Sequence, residues 1–327
     1  MIKRGGAIRA LLVLGCAAAS IARADPTLIA PADPRAGPPS SSQTHGASFV
    51  GEAACRACHP VETEHWSRTT HGRLFRERPR NQLEARQCEA CHGPGSDHMA
   101  DPAAPGLLVA FTRERGTPPA TQNATCLRCH SGGSRARWPG SIHERADLAC
   151  SDCHDAMSSI SPRGLLREEG INETCFICHP GQRRDFRKRS HMPLLEGKIS
   201  CADCHDPHGA DTPVLIRADS VNQLCYRCHA DKRGPFLWEH APVVESCLNC
   251  HLAHGSSRLA LLRATPPALC QQCHVQSAIV GHATPLLTRD ELALGGRPDE
   301  RLMNRGCVNC HSRVHGSNHP SGARLHR

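Results

Sequence analysis

Residues 201–208 read CADCHDPH, and the same word returns with small changes as CSDCHDAM at 150–157 and CLNCHLAH at 247–254. Its head, C-x-x-C-H, begins at Cys55, Cys88, Cys126, Cys150, Cys175, Cys201, Cys225, Cys247, Cys270 and Cys307. These ten copies use twenty of the 21 cysteines and leave only Cys16. Chance at this composition supplies about 0.1 copies, so the word is a signature. Two thiols three residues apart can each add to a vinyl group of one haem, and the adjacent histidine then reaches the iron as proximal ligand. A zinc site pairs two C-x-x-C half-sites but gives no reason for a histidine after every second cysteine. A redox dithiol is normally single and sits in a βαβ setting. A secreted disulfide scaffold has no cause to repeat one word.

The sequence therefore predicts ten covalently attached c-type haems. Their attachment cysteines are Cys55 and Cys58, Cys88 and Cys91, Cys126 and Cys129, Cys150 and Cys153, Cys175 and Cys178, Cys201 and Cys204, Cys225 and Cys228, Cys247 and Cys250, Cys270 and Cys273, and Cys307 and Cys310. The proximal iron ligands are His59, His92, His130, His154, His179, His205, His229, His251, His274 and His311.

Composition explains why the chain needs them. Its 327 residues include only ten aromatics against 25 prolines and 27 glycines, and the mean hydropathy is −0.43. An ordinary aliphatic interior is out of reach. Residues 1–24 read as a secretory signal: Lys3, Arg4 and Arg9, then the apolar run 10–22, then Ala22-Arg23-Ala24 before Asp25. A rival reading takes Val13-Leu14-Gly15-Cys16 as a lipoprotein box with Cys16 acylated. Residues 25–50 are rich in Pro, Ser, Gly and Ala, a flexible leader, and 51–327 form the haem domain. Four of the +8 formal charges lie in residues 1–24, leaving +4, and haem propionates would turn the loaded protein acidic. A nucleic-acid partner is excluded on that ground.

The remaining histidines fall into order. Each of five two-haem units has a motif, a histidine in the connecting segment, a second motif and a ligand-type residue shortly after it. The units are Cys55/His71/Cys88/His98, Cys126/His143/Cys150/Met157, Cys175/His191/Cys201/His208, Cys225/His240/Cys247/His254 and Cys270/His282/Cys307/His315. Unit starts lie 71, 49, 50 and 45 residues apart, the first stretched by an insertion at roughly 99–124. His71, His98, His143, His191, His208, His240, His254, His282 and His315 are thus distal-ligand candidates, with His319 a further one lacking a slot. His45, His65 and His326 fall outside the pattern and read as surface or structural residues. Which candidate serves which iron stays open.

Segments between motifs are typically 17–21 residues, room for one short helix and a turn, and Gly93-Pro94, Pro180-Gly181, Pro207 and Pro213 interrupt regular structure. The expected fold is mostly irregular with short α-helices and almost no sheet, an elongated multihaem cytochrome c built on a row of ten haems.

From Cys225 onward the stretches CYRCHADKRGPFLWEHAPVVESCLNCHLAHG (225–255), LCQQCH (269–274) and VHGSNHPSG (314–322), with CEACHGPGSDH at 88–98, resemble the decahaem periplasmic cytochromes of the MtrA type. That family includes the iron-oxidation relatives MtoA and PioA and the dimethyl-sulfoxide-respiration relative DmsE. The resemblance covers about 50–327 with all ten motifs in register. It implies a periplasmic electron carrier inserted into an outer-membrane β-barrel, porin-like partner. Further partners would be a periplasmic or inner-membrane cytochrome and an extracellular multihaem cytochrome. Physics adds one point: irregular polar backbone cannot face lipid, so such a chain crosses a membrane only inside a sealing partner, without direct lipid insertion.

A free periplasmic shuttle and a multihaem nitrite- or hydroxylamine-type oxidoreductase are the rival readings. Such an enzyme needs an iron with an open position, whereas every motif here has histidine and distal candidates are plentiful; the expected protein is an electron carrier, not an enzyme. The basic stretch RRDFRKR (183–189) reads as solvated surface rather than a dock, and KRGPFLWEHAP (232–242) as a clamp presenting His240, with Trp238 on a porphyrin face. Met157 departs from the family pattern, which has histidine there. Its soft sulfur binds haem iron and favours Fe(II), so it is either the ligand of one high-potential His/Met haem or a packing residue, with His319 or His65 completing the tenth pair. The chain does not encode the direction of electron flow, but a high-potential step favours inward flow from metal oxidation.

Overall fold

The structure, a computed structural model, describes residues 46–112, 116–274, 306–320 and 322–326. The signal segment, most of the leader, Cys16, His45 and the distal candidate His282 lie outside the described residues. Among those described, no helix exceeds nine residues, and the one sheet pairs two-residue strands: β1 (Ser190–His191) runs antiparallel to β2 (Gly255–Ser256). The expected mixture of short helices, irregular chain and almost no sheet is what the chain adopts.

The first motif of each unit ends a helix. Glu52–Cys58, Ile171–Cys178 and Val221–Tyr226 run into or through their cysteines. A helix places residues i and i+3 on one face, which is why C-x-x-C presents both thiols together. The histidine closes the turn, as His59 N–H donating to the Cys55 carbonyl at 2.9 Å. Second motifs occupy single turns such as Cys150–Cys153 and Cys201–Cys204. Asp203 caps its turn by accepting from Ser200 N–H at 2.6 Å.

After the second motif comes a shared turn the sequence reading did not anticipate. The chain doubles back so that Leu165, Leu215, Leu261 and Leu325 adopt positive φ, between 49° and 60°, a conformation strained for leucine. The carbonyls of Leu165, Leu215 and Leu261 accept from Asp155, Asp206 and Leu252 N–H at 2.6–2.8 Å. Arg167, Arg217 and Arg263 N–H then return to Cys153, Cys204 and Cys250 carbonyls at 2.9–3.0 Å. The first three of these turns lock a Leu-Leu-Arg or Leu-Ile-Arg triplet against its motif, and the fourth has Leu325-His326 in that place.

Glycine marks where successive units meet. A Cβ at Gly209 would lie 2.2 Å from the Arg137 carbonyl, and one at Gly255 1.9 Å from the Asp185 carbonyl. At Gly316 it would lie 2.2 Å from the Phe236 ring. Each glycine follows a distal candidate, His208, His254 or His315, and lets the preceding unit's connecting segment close onto it. The clamp expected at 232–242 is of this kind: Trp238 and Ser317 exchange backbone hydrogen bonds at 3.0 Å, and Trp238 remains 39% exposed.

Apolar burial is sparse. One buried cluster joins Trp66, Phe75 and Ala90, a second joins Phe176, Phe186 and Leu194.

Candidate functional site

The distal candidates meet the motif histidines through space, across unit boundaries. Ring centres lie 5.8 Å apart for His71–His130, 6.4 Å for His143–His179 and 6.1 Å for His240–His274. They lie 6.1 Å apart for His154–His208 and 6.2 Å for both His205–His254 and His251–His315. His59 and His98 complete the set at 6.3 Å. Two histidine–metal bonds of about 2.0 Å, with each ring centre roughly 1 Å behind its nitrogen, place the centres about 6 Å apart. The seven pairs fit one iron between each two rings. No group of three or more His, Cys, Asp or Glu converges among the described residues, as a zinc site would need.

These pairs obey a rule. The histidine in a unit's connecting segment faces the first motif of the next unit, and the residue after a unit's second motif faces the second motif of the preceding unit. At the N-terminal end His98 has no preceding unit, and it faces His59, whose motif has no preceding connecting segment. The rule assigns Met157 to His92 and His191 to His229. Met157 sits in the slot that His208 occupies one unit later: Met157 N–H donates to Asp155 Oδ1 at 2.9 Å, His208 N–H to Asp206 Oδ1 at 3.2 Å. Its side chain packs against the cluster containing Ala90, inside the Cys88–His92 motif.

Other candidates stand elsewhere. His191 Nε2 meets Glu196 at 2.9 Å rather than facing His229. His319 lies in the turn after His315, its N–H on Ser317 Oγ at 3.1 Å, lining a cavity with Phe236 and Arg313. His65 is exposed on the helix Pro60–Arg68. His326 lies 4.6 Å from His311, too close for an iron between them. It aligns with Leu166, Ile216 and Leu262, which form bridges to the motif histidines of their own turns.

Each second-motif histidine is oriented by a backbone carbonyl. Nδ1 of His154, His205, His251 and His311 donates to Gly164, Val214, Ala260 and Arg324 at 2.5–2.8 Å, all residues preceding the positive-φ leucines. His92 donates to Val109 at 2.8 Å and meets the Phe111 ring at 5.4 Å, so the insertion near 99–124 performs the same task in the first unit. The bond fixes the proton on Nδ1 and leaves the Nε2 lone pair for a metal. Distal His143 and His240 donate likewise to the Pro207 and Val314 carbonyls, at 2.8 and 3.1 Å. Sequence reading missed these acceptors because they are main-chain atoms; the Leu-Leu-Arg triplets were their only visible mark.

The attachment thiols form a continuous series. Within units, the leading thiols of the two motifs are neighbours: Cys55 with Cys88, Cys126 with Cys150, Cys175 with Cys201, Cys225 with Cys247 and Cys270 with Cys307. Between units, Cys91 approaches Cys129, Cys153 approaches Cys175, Cys204 approaches Cys228 and Cys250 approaches Cys273. Burial first, then neighbouring thiols, pushes Cys88 and Cys225 up to about 12 and Cys153 and Cys270 up to about 11. An asparagine three residues before the first motif ties the two motifs together in three units. Asn123, Asn172 and Asn222 Oδ1 accept from Cys150, Cys201 and Cys247 N–H at 2.7–3.0 Å. Asn222 also donates to the Val243 and Val244 carbonyls. Asn222→Ala is expected to cost about 1–3 kcal/mol, read as a lower thermal midpoint of the haem-loaded protein at unchanged haem content.

Repeated thioether motifs, proximal histidines held by main-chain carbonyls and facing imidazole pairs together define a multihaem c-type cytochrome. Two family profiles match: the doubled CXXCH motif over residues 191–234 and 240–278, and the NrfB-like cytochrome c-type protein over 88–170. The chain is 39% identical over 281 residues to the multiheme cytochrome MtrA of Shewanella baltica (strain OS185), covering 85% of this chain and 81% of that protein. It belongs to the MtrA family of multihaem cytochromes, proteins of electron transport with covalently bound c-type haem.

Proposed function

We propose that the chain is the electron-carrying core of an outer-membrane conduit. It holds ten haems in sequence order inside a β-barrel partner and passes electrons between periplasmic redox carriers and an extracellular donor or acceptor. The observation that carries this reading is the set of facing histidine rings that ties each unit to the next, from His71–His130 to His251–His315. Each haem, when bound, supplies one iron that exchanges a single electron. The cysteines fix it covalently, the motif histidine and its carbonyl set the proximal face, and the distal partner closes the other. No described helix is long and apolar enough to cross a membrane, and an irregular backbone facing lipid would leave its N–H and C=O groups unsatisfied; a barrel supplies the seal.

In this reading the seven facing histidine pairs are axial pairs, His92 takes Met157, His229 takes His191 in exchange for Glu196, and His311 takes His282 or His319. Met157 makes its haem the one high-potential His/Met site. A near-infrared charge-transfer spectrum of the ferric protein is expected to show a thioether-ligated haem that Met157→Ala abolishes; bis-histidine bands alone, unchanged by the substitution, would rule the ligand out. The conduit itself is tested by purification from outer membranes. A barrel protein should accompany the chain, and the pair placed in vesicles should connect an internal reductant to an external acceptor. A chain that purifies alone and exchanges electrons only in solution is a periplasmic shuttle.

A further inference from the structure

Three histidines of the connecting segments differ in one atom. His143 and His240 give their Nδ1 proton to the carbonyl just before the His-Gly pair of the following unit, Pro207 before His208-Gly209 and Val314 before His315-Gly316. The corresponding place for His71 precedes Met157-Ser158, the only unit among the described second to fourth where the His-Gly pair is replaced. There His71 Nδ1 is buried without a hydrogen-bond partner. Its ring edge rests on Phe75 at 5.7 Å, and Phe75 belongs to the cluster against which Met157 packs.

We infer that the haem between His71 and His130 is the highest-potential bis-histidine haem of the chain, and that Ser158 keeps it so by holding the Ala156 carbonyl off His71. An Nδ1–H···O=C bond pushes electron density into the imidazole and strengthens it as a donor to Fe(III), which lowers the potential. His71 lacks that bond in a buried setting, so its oxidised iron is less stabilised. Only one electron moves, and Nδ1 keeps its proton throughout. Glycine explains the difference between units. At Gly209 and Gly316 a Cβ would stand 2.2 Å from its neighbour across the unit boundary, so the carbonyl one residue before the histidine arrives only where that Cβ is missing. Ser158 carries one, and its hydroxyl is tied to Asp155 Oδ2 at 2.9 Å. Ser158 is therefore a positioning residue for His71.

This inference rests on the axial pairing proposed above, and the geometry supplies a label for testing it. The His71 and His130 planes cross at 83°, the largest angle of the seven pairs. His143–His179 and His205–His254 cross at 56° and 46°, and the other four lie within 11–22° of parallel, so the signal of largest g value labels His71–His130. Crossed imidazole planes leave the two iron dπ orbitals nearly degenerate and give a ferric electron-paramagnetic-resonance signal with a very large maximum g value. Parallel planes give ordinary rhombic spectra. In a reductive titration of the haem-loaded protein, the large-g signal is expected to disappear before the rhombic bis-histidine signals. In Ser158→Gly its midpoint should fall towards theirs while theirs stay in place. A large-g signal that titrates with or after the rhombic ones overturns the inference, and an unmoved midpoint in Ser158→Gly overturns the role of Ser158. Failure of the underlying pairing looks different: high-spin ferric signals in place of a fully low-spin spectrum.

Discussion

A chain exported without haem attachment is expected to show no cooperative unfolding transition. Far-ultraviolet circular dichroism should report little helix and near-ultraviolet bands should be flat, whereas the haem-loaded protein melts sharply. Ordering a backbone costs about 1–2 kcal/mol per residue, and the apolar clusters that could offset it comprise three buried residues each. Helices of nine residues or fewer do not persist alone in water. Ligand pairs such as His154–His208 and His205–His254 face each other with 6.1 and 6.2 Å between ring centres; without a metal they are polar groups gathered for no gain. Binding free energy is folding free energy in such a protein. A sharp two-state melt of the haem-free chain, with native near-ultraviolet signals, would contradict this account.

The second large effect concerns the middle of the series. Cys175→Ala with Cys178→Ala removes one of the ten proposed haems, and the haem absorbance per protein should then fall by about a tenth. If the conduit proposed above holds, electron transfer between the compartments of a vesicle carrying the protein and the proposed barrel partner should fall to the level of vesicles without the protein. The disproportion follows from position. Cys175 stands between Cys153 of the second unit and Cys201 of its own, so its motif is the link between the two halves. The double substitution also removes the iron proposed between His143 and His179, whose ring centres lie 6.4 Å apart. Transfer rates close to wild type in this variant would mean that electrons bypass the series, and the sequence-ordered route would be wrong.

The sequence revealed the attachment chemistry almost completely and the axial scheme hardly at all, for one reason. Thioether attachment needs its residues contiguous, so Cys201, Cys204 and His205 announce themselves in five letters. Distal ligation is satisfied through space. His208 sits three residues beyond His205, but it faces His154, 54 residues upstream, and no local pattern distinguishes the two. The five-unit period did expose the unusual slot at Met157. It could not show that Ser158 beside it matters equally, because the cost of a Cβ there depends on a neighbouring unit. The long link before Cys126 read as an insertion without a task; folded, it delivers Val109 to His92. The asparagines at 123, 172 and 222 were visible at a fixed offset from Cys126, Cys175 and Cys225. Only the contact with Cys150, Cys201 and Cys247 N–H gives that offset a meaning.

The pairing of His59 with His98 solves a problem that stacked-repeat proteins usually meet with a specialised end module. In a solenoid the terminal repeat exposes a face meant for a neighbour, and a polar cap must cover it. In the pairing proposed above a repeat lends one ligand forward and one backward, so a row of repeats that simply stops would leave one borrower and one lender unmatched. At the N-terminal end these two are His59 and His98, and they lie 6.3 Å apart. At this end the pairing closes on residues of the first unit itself.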